Sequence, residues 1–301
     1  MGYNQGGLSK SLKRDDTVKV YDMHIHVGAG DVDQSYLLGQ MERAGVFGGG
    51  IISDYPDTAK GVTKGVPYRE RMKKVLDWKK GQEGRLFSYL WVHPFEKNAE
   101  KIVKDAAESG IDAFKMICDT YSVYDKKSMK LLEAIEKTGK PVIFHSGILW
   151  SGTDTSLNNR PVNWESLLNL NNIKFSMGHC SWPWVDECIA VYGKFLNYYL
   201  TRQSSEMFFD ITPGTPVIYR EELLTKLFTV GYDVENNIMF GTDSITNDYN
   251  PEWVGGWIKR DNEIYDKLGV TEEQRKKIYC DNYMRFLSGA SLEHNLPHIN
   301  K

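Results

Sequence analysis

Residues 20–28 read Val20-Tyr21-Asp22-Met23-His24-Ile25-His26-Val27-Gly28, a run typical of a short β-strand that ends at a glycine. Side chains along a strand alternate between its two faces, so we expect Asp22, His24 and His26 on the same face. Two imidazoles on one face can bind a divalent ion from the same side, whereas an ordinary half-buried strand would carry them without a ligand. Because later strand-like segments also end in ligand-type residues, we favour a metal site.

The composition is that of a soluble globular protein, and the length alone would allow two domains, although α/β barrels of this size are routinely one. The chain has 301 residues, of which 41% are hydrophobic and 26% are charged, and this is enough to build a large core. Residues 1–17 are polar and Gly-rich, so we expect a loose N-terminal arm within a single domain that spans 1–301. The net charge of −3 gives no general attraction to nucleic acid or to acidic membranes. The expected partner is a small-molecule substrate, and a homo-oligomer remains open.

The cysteine content favours a cytoplasmic protein. The chain contains four cysteines, none of them in a CxxC pair, and it shows no secretory segment at its start. Free thiols of this kind are typical of a reducing compartment. No apolar run approaches the length needed to span a membrane.

Strand-like and helical segments alternate along the whole chain. The strand-like segments are 20–28, 46–53, 85–93, 111–117, 141–146, 173–179, 206–211 and 238–243. The helical segments are 34–44, 67–80, 96–109, 127–138, 163–170, 184–200 and 217–229, followed by two helices within 252–288, the second at 272–287. This alternation predicts a (β/α)8 TIM barrel, whose parallel strands bring their carboxyl ends together on one face.

Ligand-type residues stand at the ends of four predicted strands. His24 and His26 belong to the first, and His145, His179 and Asp243 to the fifth, sixth and eighth. A hydrolytic metal site needs neutral imidazoles, a carboxylate and an open position for water, and His24, His26, His145 and Asp243 supply such a set. Asp243 could also accept a proton. His179 could bind a second metal, orient the substrate or act as a general acid.

The motifs DMHIH, IFHSG, MGHC and FGTDS, in this order, resemble those of the amidohydrolase superfamily. They are most similar to the amidohydrolase-related branch that includes aminocarboxymuconate semialdehyde decarboxylase and resorcylate decarboxylases. The ending IYCDNYMRFLSG also resembles the final helix of that branch. The resemblance implies that His24, His26, His145 and Asp243 bind the metal and that His179 is a catalytic or second-metal residue.

Two reactions are consistent with this resemblance. The first is hydrolysis, in which a metal-bound water is activated to cleave an amide, lactone or ester bond of a small polar or carboxylated substrate. The alternative is a non-oxidative decarboxylase, a C–C lyase that uses the same metal site. A non-catalytic barrel is disfavoured because every expected ligand is present.

A mixed donor set of three imidazoles and one carboxylate predicts Zn²⁺, with Mn²⁺ as the alternative. We expect one ion, and a second would require Lys115 and His179. Lys115 occupies the position at which binuclear members of the superfamily carry a carboxylated lysine. We favour an unmodified Lys115 that pairs with a substrate anion or with a nearby carboxylate. The residues that follow it, Met-Ile-Cys, differ from the Lys-Leu-His-Pro common in the related branch.

The loops after the strands are expected to bind the substrate. Trp150 and Arg160 follow the fifth strand, and Trp182 follows the sixth. Aromatic walls with a few polar groups suit a small ring or a sugar-like molecule. Lys115 and Arg160 could hold a carboxylate.

Several other residues are weaker candidates. His93 closes the third predicted strand and either packs there or faces the site. Cys118 and Cys180 lie at strand ends, but buried free thiols are common and we do not expect them to bind metal. His294 and His298 are expected to be solvated in the C-terminal tail.

Overall fold

The predicted strands form one parallel sheet in the computed structural model, which describes residues 18–56, 65–202 and 205–290. The strands are β1 (Tyr21–His26), β2 (Gly48–Ile52), β3 (Leu86–Trp91), β4 (Ala113–Met116), β5 (Val142–Phe144), β6 (Lys174–Met177), β7 (Glu206–Asp210), β8 (Ile238–Met239) and β9 (Ser244–Ile245). Their order in the sheet is β8-β7-β6-β5-β4-β3-β2-β1-β9. The nine parallel strands curl into a TIM-barrel-like α/β fold, which confirms the predicted fold class. The predicted arm 1–17 and His294 and His298 lie outside the described residues.

The eighth predicted strand is divided into β8 and β9. β8 pairs with β7, and β9 pairs with β1, so this single segment connects the two ends of the sheet. Between the two short strands, the Met23 N–H donates to the carbonyl of Phe240 at 3.0 Å, and the Asp243 N–H donates to the carbonyl of His24 at 2.9 Å. The division follows from Asp243, whose φ of 60° is a left-handed conformation that interrupts a strand.

The helices cover the outside of the sheet. They are α1 (Gln34–Ala44), α2 (Tyr68–Lys79), α3 (Ala99–Glu108), α4 (Lys126–Glu136), α5 (Val185–Arg202), α6 (Arg220–Thr229), α7 (Pro251–Leu268), α8 (Glu272–Lys276) and α9 (Asn282–Ser288). The helix predicted at 163–170 is a 3₁₀ helix, Pro161–Asn169. The helix predicted at 272–287 contains a π-helical stretch, Lys277–Asp281, between α8 and α9. Within the described residues, no helix has both the length and the apolar character required to cross a bilayer.

Local sequence determines several helix ends. Asp33 caps α1 by accepting a hydrogen bond from the Tyr36 N–H, and Gly45 ends it with a left-handed φ of 77°. Asn250 caps α7 in the same way through the Trp253 N–H. These caps determine where α1 begins and ends and where α7 begins.

The apolar core has an inner and an outer layer. Inside the barrel, Tyr89 and Trp91 of β3 pack with other inward-facing residues, among them Tyr21, Met23 and Phe208. Between the sheet and the helices, a larger cluster includes Leu86 and Leu90 of the same strand. This alternation along β3 follows from the two-residue period of a strand.

Candidate active site

A cavity of about 850 Å³ opens at the carboxyl ends of the strands. Tyr55 and Trp91 form an aromatic wall, with ring centroids 4.8 Å apart, and Trp91 lies 6.2 Å from the His26 ring. The cavity therefore combines aromatic surface with polar side chains. Most of the predicted site residues line it: His24, His26, Lys115, His145, Trp150, His179, Trp182 and Asp243.

Donor atoms of His24, His26 and Asp243 lie together beside this cavity. The Nε2 atoms of the two histidines are 3.2 Å apart. Asp243 Oδ1 is 3.2 Å from His26 Nε2 and 3.6 Å from His24 Nε2. Two ligands that each lie about 2.1 Å from one ion are separated by roughly 3–3.5 Å, so the three donors fit a single divalent ion. Two imidazoles and a carboxylate suit Zn²⁺, Mn²⁺ or another first-row ion.

Asp210 is a site residue that the sequence analysis did not identify. It is the last residue of β7, it is fully buried, and its Oδ2 lies 2.7 Å from His24 Nδ1. Its Oδ1 accepts hydrogen bonds from the backbone N–H of Thr212, at 2.9 Å, and from the Thr212 hydroxyl. Burial raises the pKa of the Asp210 carboxyl, but the charge and hydrogen bond of His24 outweigh burial and hold that pKa below its ordinary value. The available signal was an acidic residue at the end of the apolar segment EMFFDI.

Lys115 is buried beside His24. Its Nζ lies 3.2 Å from His24 Nε2, and the residue is only 1% exposed. Burial lowers the pKa of Lys115 to about 8, although Asp210 and Asp243 act in the opposite direction. Burial, and then the charge of Lys115, lower the pKa of His24 to about 4. The His24 imidazole is therefore neutral near pH 7, the form that can bind a metal.

His145 occupies a different position from the three clustered donors. Its Nε2 lies 3.1 Å from the carbonyl oxygen of Ile148, and its ring packs edge-on against His179 with centroids 5.1 Å apart. Burial lowers the pKa of His145 well below its ordinary value, and the charges of His179 and Lys115 add to this effect. His145 lines the cavity as expected, and its role as a fourth metal ligand stays a prediction.

His179 is held over the cavity by a strained turn after β6. Three consecutive residues, His179, Cys180 and Ser181, have left-handed φ values of 57°, 43° and 59°. Such values are uncommon for residues other than glycine and are often found at functional sites. His179 Nδ1 lies 3.3 Å from the carbonyl oxygen of Thr212, and its ring centroid is 5.7 Å from that of His24.

Asp243 presents an ionised carboxylate to the cavity. Burial raises the pKa of this carboxyl, but the hydrogen bond from His26 and the charges of His24, His26 and His179 hold the pKa well below its usual range. The side chain is still 39% exposed. A charged carboxylate that contacts both imidazoles and the cavity can bind a cation or accept a proton.

The prediction that Asp22 shares a face with His24 and His26 is wrong. The pairing of β1 with β2 shifts between Asp22 and Ile25, so the strand does not alternate regularly there. Asp22 accepts hydrogen bonds from the Thr242 N–H at 2.9 Å and from the Tyr249 hydroxyl at 3.0 Å. It therefore supports the backbone that leads to Asp243.

Two further predicted candidates are absent from the described residues that line the cavity. Arg160 donates from Nε to Glu187 Oε2 at 2.8 Å, and its guanidinium lies 5.7 Å from the centre of the Trp184 ring. The contact of Arg160 with substrate stays a prediction. His93 is buried, and its Nε2 lies 3.0 Å from Asp119 Oδ1, so its role in the site is indirect, through a carboxylate that lines the cavity.

The fold and the donor cluster together define an α/β barrel with a candidate metal centre at its carboxyl-end mouth. A sequence model of the Amidohydro_2 family, described as Amidohydrolase, matches residues 21–288. The chain belongs to this amidohydrolase family. No curated protein matches the chain significantly.

Solved structures share this fold at low sequence identity. An uncharacterized TIM-barrel protein from Bordetella bronchiseptica is 16% identical with a TM-score of 0.66, over 90% of this chain and 99% of that chain. A probable 2-pyrone-4,6-dicarboxylic acid hydrolase from Acinetobacter baumannii, with citric acid bound, is 12% identical with a TM-score of 0.57. The match covers 90% of this chain and 99% of that chain. A 2,6-dihydroxybenzoate decarboxylase complexed with 2,6-dihydroxybenzoate is 11% identical with a TM-score of 0.61. The match covers 90% of this chain and 98% of that chain. The similar structures thus include a hydrolase and a decarboxylase by name.

Proposed function

We propose that this protein is a metal-dependent hydrolase that cleaves an amide, lactone or ester bond in a small polar or carboxylated substrate. The observation that carries the proposal is the ionised carboxylate of Asp243 in contact with His24 and His26 at the mouth of the cavity. Zn²⁺ is the proposed ion and Mn²⁺ the alternative. When bound, the ion would act as a Lewis acid and lower the pKa of water enough to supply a nucleophile near neutral pH.

The side chains around these donors have separate proposed roles. Asp243 takes the proton of the attacking water, because its carboxylate is ionised and reaches the cavity. His179 orients the substrate through Nε2, since its Nδ1 is engaged by a backbone carbonyl and its Nε2 is left for the cavity. The proton that Asp243 has taken then passes to the leaving group. Lys115 holds a negatively charged oxygen of the substrate beside the donors.

The cavity wall supports a substrate that contains a small ring. Tyr55 and Trp91 present adjoining aromatic rings on one side, and Trp150 and Trp182 come from the loops after β5 and β6. Ring faces of this kind bind planar or ring-shaped apolar surface. The volume of about 850 Å³ is in the range of small-molecule sites.

One observation favours decarboxylation as the second candidate function. The buried ammonium group of Lys115 lies 3.2 Å from His24 Nε2, where it could hold a carboxylate that is about to leave as carbon dioxide. In that reaction Asp243 would take a proton from solvent water and pass it to the substrate carbon as carbon dioxide leaves.

The four cysteines are free, and this supports the cytoplasmic location that we propose for the enzyme. We propose no partner apart from the small-molecule substrate.

The reaction is tested by assaying purified, Zn²⁺-loaded protein against a panel of lactones, esters, amides and aromatic carboxylates. Release of titratable acid or amine without carbon dioxide supports the hydrolase, and release of carbon dioxide supports the decarboxylase. Loss of activity on chelation and its return with Zn²⁺ or Mn²⁺ are expected in both cases. Activity that persists after complete removal of metal would overturn both proposals.

The metal site is tested by His24→Ala. Removing one of the clustered donors should lower metal content and activity together. The fold should persist, because the inner and outer cores are built from other residues. Elemental analysis and circular dichroism of the same preparation measure both effects. Unchanged metal content in His24→Ala would contradict the proposed ligand.

A further inference from the structure

We propose that residues 210–214, which follow from the end of β7, fix both His24 and His179 with a proton on Nδ1 and with Nε2 presented to the cavity. This 210–214 segment contributes none of the clustered donors, and its role is to position two imidazoles. The proposal rests on the metal-dependent function proposed above, but the protonation pattern itself can be measured in metal-free protein.

The contact between Asp210 and His24 supports a proton on His24 Nδ1. Asp210 Oδ1 already accepts two hydrogen bonds from Thr212, so the oxygen that faces His24 is Oδ2, at 2.7 Å from Nδ1. A carboxylate only accepts hydrogen bonds, so Nδ1 must be the donor. A carboxylate on the far nitrogen of a metal-binding histidine is a recurrent way to fix the ring.

Lys115 gives independent support from the other side of the same ring. Its ammonium group has three donors and no acceptor, and it lies 3.2 Å from His24 Nε2. His24 Nε2 must therefore carry a lone pair. In a neutral imidazole this places the proton on Nδ1, as the Asp210 contact requires.

The same segment orients His179. Its Nδ1 lies 3.3 Å from the carbonyl oxygen of Thr212, which can only accept, so this nitrogen also carries a proton. Gly214 leaves room for the ring, because a Cβ at that position would lie 2.6 Å from His179 Cγ and Nδ1. One short segment thus supports the two imidazoles from the β7 side of the cavity.

Asp210→Asn provides a sharp test because the two Thr212 donors would hold the amide oxygen of the new side chain. The amide NH₂ would then face His24 Nδ1 and donate to it. His24 would have to move its proton to Nε2, the nitrogen needed for the metal, and Lys115 would have to lose its own proton or turn away from Nε2. We expect the affinity for Zn²⁺ to fall about 10–100-fold, the usual effect of losing such a partner.

The matched control is Asp119→Asn, which makes the same chemical change at another buried His–Asp pair. Asp119 Oδ1 lies 3.0 Å from His93 Nε2, whereas His93 Nδ1 accepts from the Phe95 N–H at 3.2 Å. His93 therefore has the opposite tautomer and serves as an internal reference. Asp119→Asn should leave the proton of His24 on Nδ1, because Asp119 contacts His93 and the pairing of Asp210 with His24 is untouched.

The experiment is long-range ¹H–¹⁵N NMR of the histidines in metal-free protein, together with Zn²⁺ titration against a competing chelator. In wild type we expect Nδ1–H for His24 and His179, and Nε2–H for His93. In Asp210→Asn we expect His24 to carry its proton on Nε2 instead of Nδ1, while His179 and His93 keep the wild-type pattern. His24→Gln assigns the His24 signal.

Nε2–H on His24 in the wild type would overturn the proposal, and this result does not depend on whether any variant folds. Equal Zn²⁺ affinity of wild type and Asp210→Asn would overturn it as well. Failure of the wild type to bind any divalent ion would instead overturn the proposed function, while the tautomers would still report on the 210–214 segment.

Discussion

At the residue scale, the sequence identified the polar side chains that stand alone at the ends of apolar strands. His24, His26 and Asp243 were found in this way, and the structure brings their donor atoms together. Asp210 gives the same signal, but its role depends on a hydrogen bond to a residue 186 positions away, which no local pattern reveals. Arg160 pairs with Glu187, a contact that the local sequence does not reveal either.

The change Asp243→Asn separates metal binding from proton transfer. Asparagine keeps the shape and the Oδ1 that lies near His24 and His26, but it cannot act as a base at neutral pH. We expect metal content to be retained and turnover to fall by a factor on the order of 10²–10⁴. Steady-state kinetics and elemental analysis of one preparation measure both quantities. Near-normal turnover would show that the base is another residue, with His179 the next candidate.

Arg160→Ala should leave the Michaelis constant nearly unchanged, because its guanidinium is held by Glu187 and is absent from the described lining of the cavity. The pair is surface-exposed, with 47% of the Arg160 side chain accessible, so the loss of stability should also stay below about 1 kcal/mol. The comparison variant is Trp182→Ala, which removes a residue that lines the cavity and should raise the constant. A marked increase for Arg160→Ala would return this residue to the substrate site.

At the scale of elements, hydrophobic periodicity predicted the sequence of strands and helices, because each element must bury one face or both. It did not predict that the last strand divides at Asp243 or that His179, Cys180 and Ser181 form a left-handed turn. Positive φ values at non-glycine residues are only weakly marked in the sequence, by residue types such as Asp and His, because the surrounding structure imposes them. The unpredicted elements are thus the ones that orient the site.

Gly214→Ala tests the packing between the β7 and β6 ends. The added methyl would lie 2.6 Å from the His179 ring, so the ring must shift. We expect turnover to fall on the order of 10–100-fold, since displacement of a catalytic group by about 1 Å can have this effect. The control is Gly39→Ala in α1, where a Cβ meets nothing within 4 Å and helix propensity should give a small gain in stability. Equal turnover in Gly214→Ala and wild type would show that His179 does not need its present position.

At the scale of the whole molecule, a buried ion pair joins two helices of the outer layer, and its arginine also contacts the segment after β7. Arg220 at the start of α6 and Asp261 in α7 are fully buried and form two hydrogen bonds, at 2.8 and 2.7 Å. Arg220 also donates to the carbonyl of Ile211, within the 210–214 segment. Breaking one partner of such a pair is costly, so this contact couples the outer layer to the residues that hold His24 and His179. Sequence patterns predicted the layers but not this individual pair.

A buried lysine at the amino end of the barrel should make the free energy of unfolding depend on pH in the alkaline range. Lys174 begins β6, is 7% exposed and lies 3.5 Å from Glu206 Oε2. Burial lowers the pKa of Lys174 to about 8, with Glu206 opposing and Arg285 adding to the shift. Between about pH 8 and pH 10.5, the amine then carries its proton only in the unfolded chain. The contribution of Lys174 to stability rises with pH over this interval, because at this group the unfolded state binds more protons than the folded state.

Lys174→Met removes this titration while keeping an unbranched side chain. From pH 7 to pH 10.5, the unfolding free energy of the wild type should increase relative to that of Lys174→Met by about 1–3 kcal/mol, the value expected for a shift of this size. Urea denaturation at half-unit pH intervals measures the difference. Lys259→Met, at an amine that is 79% exposed in α7, should give a curve parallel to the wild type. Because Lys174 lies at the end of the barrel opposite the cavity, activity assays at the same pH values should not follow the stability curve. Parallel curves for the wild type and Lys174→Met would show that the buried amine keeps its proton throughout.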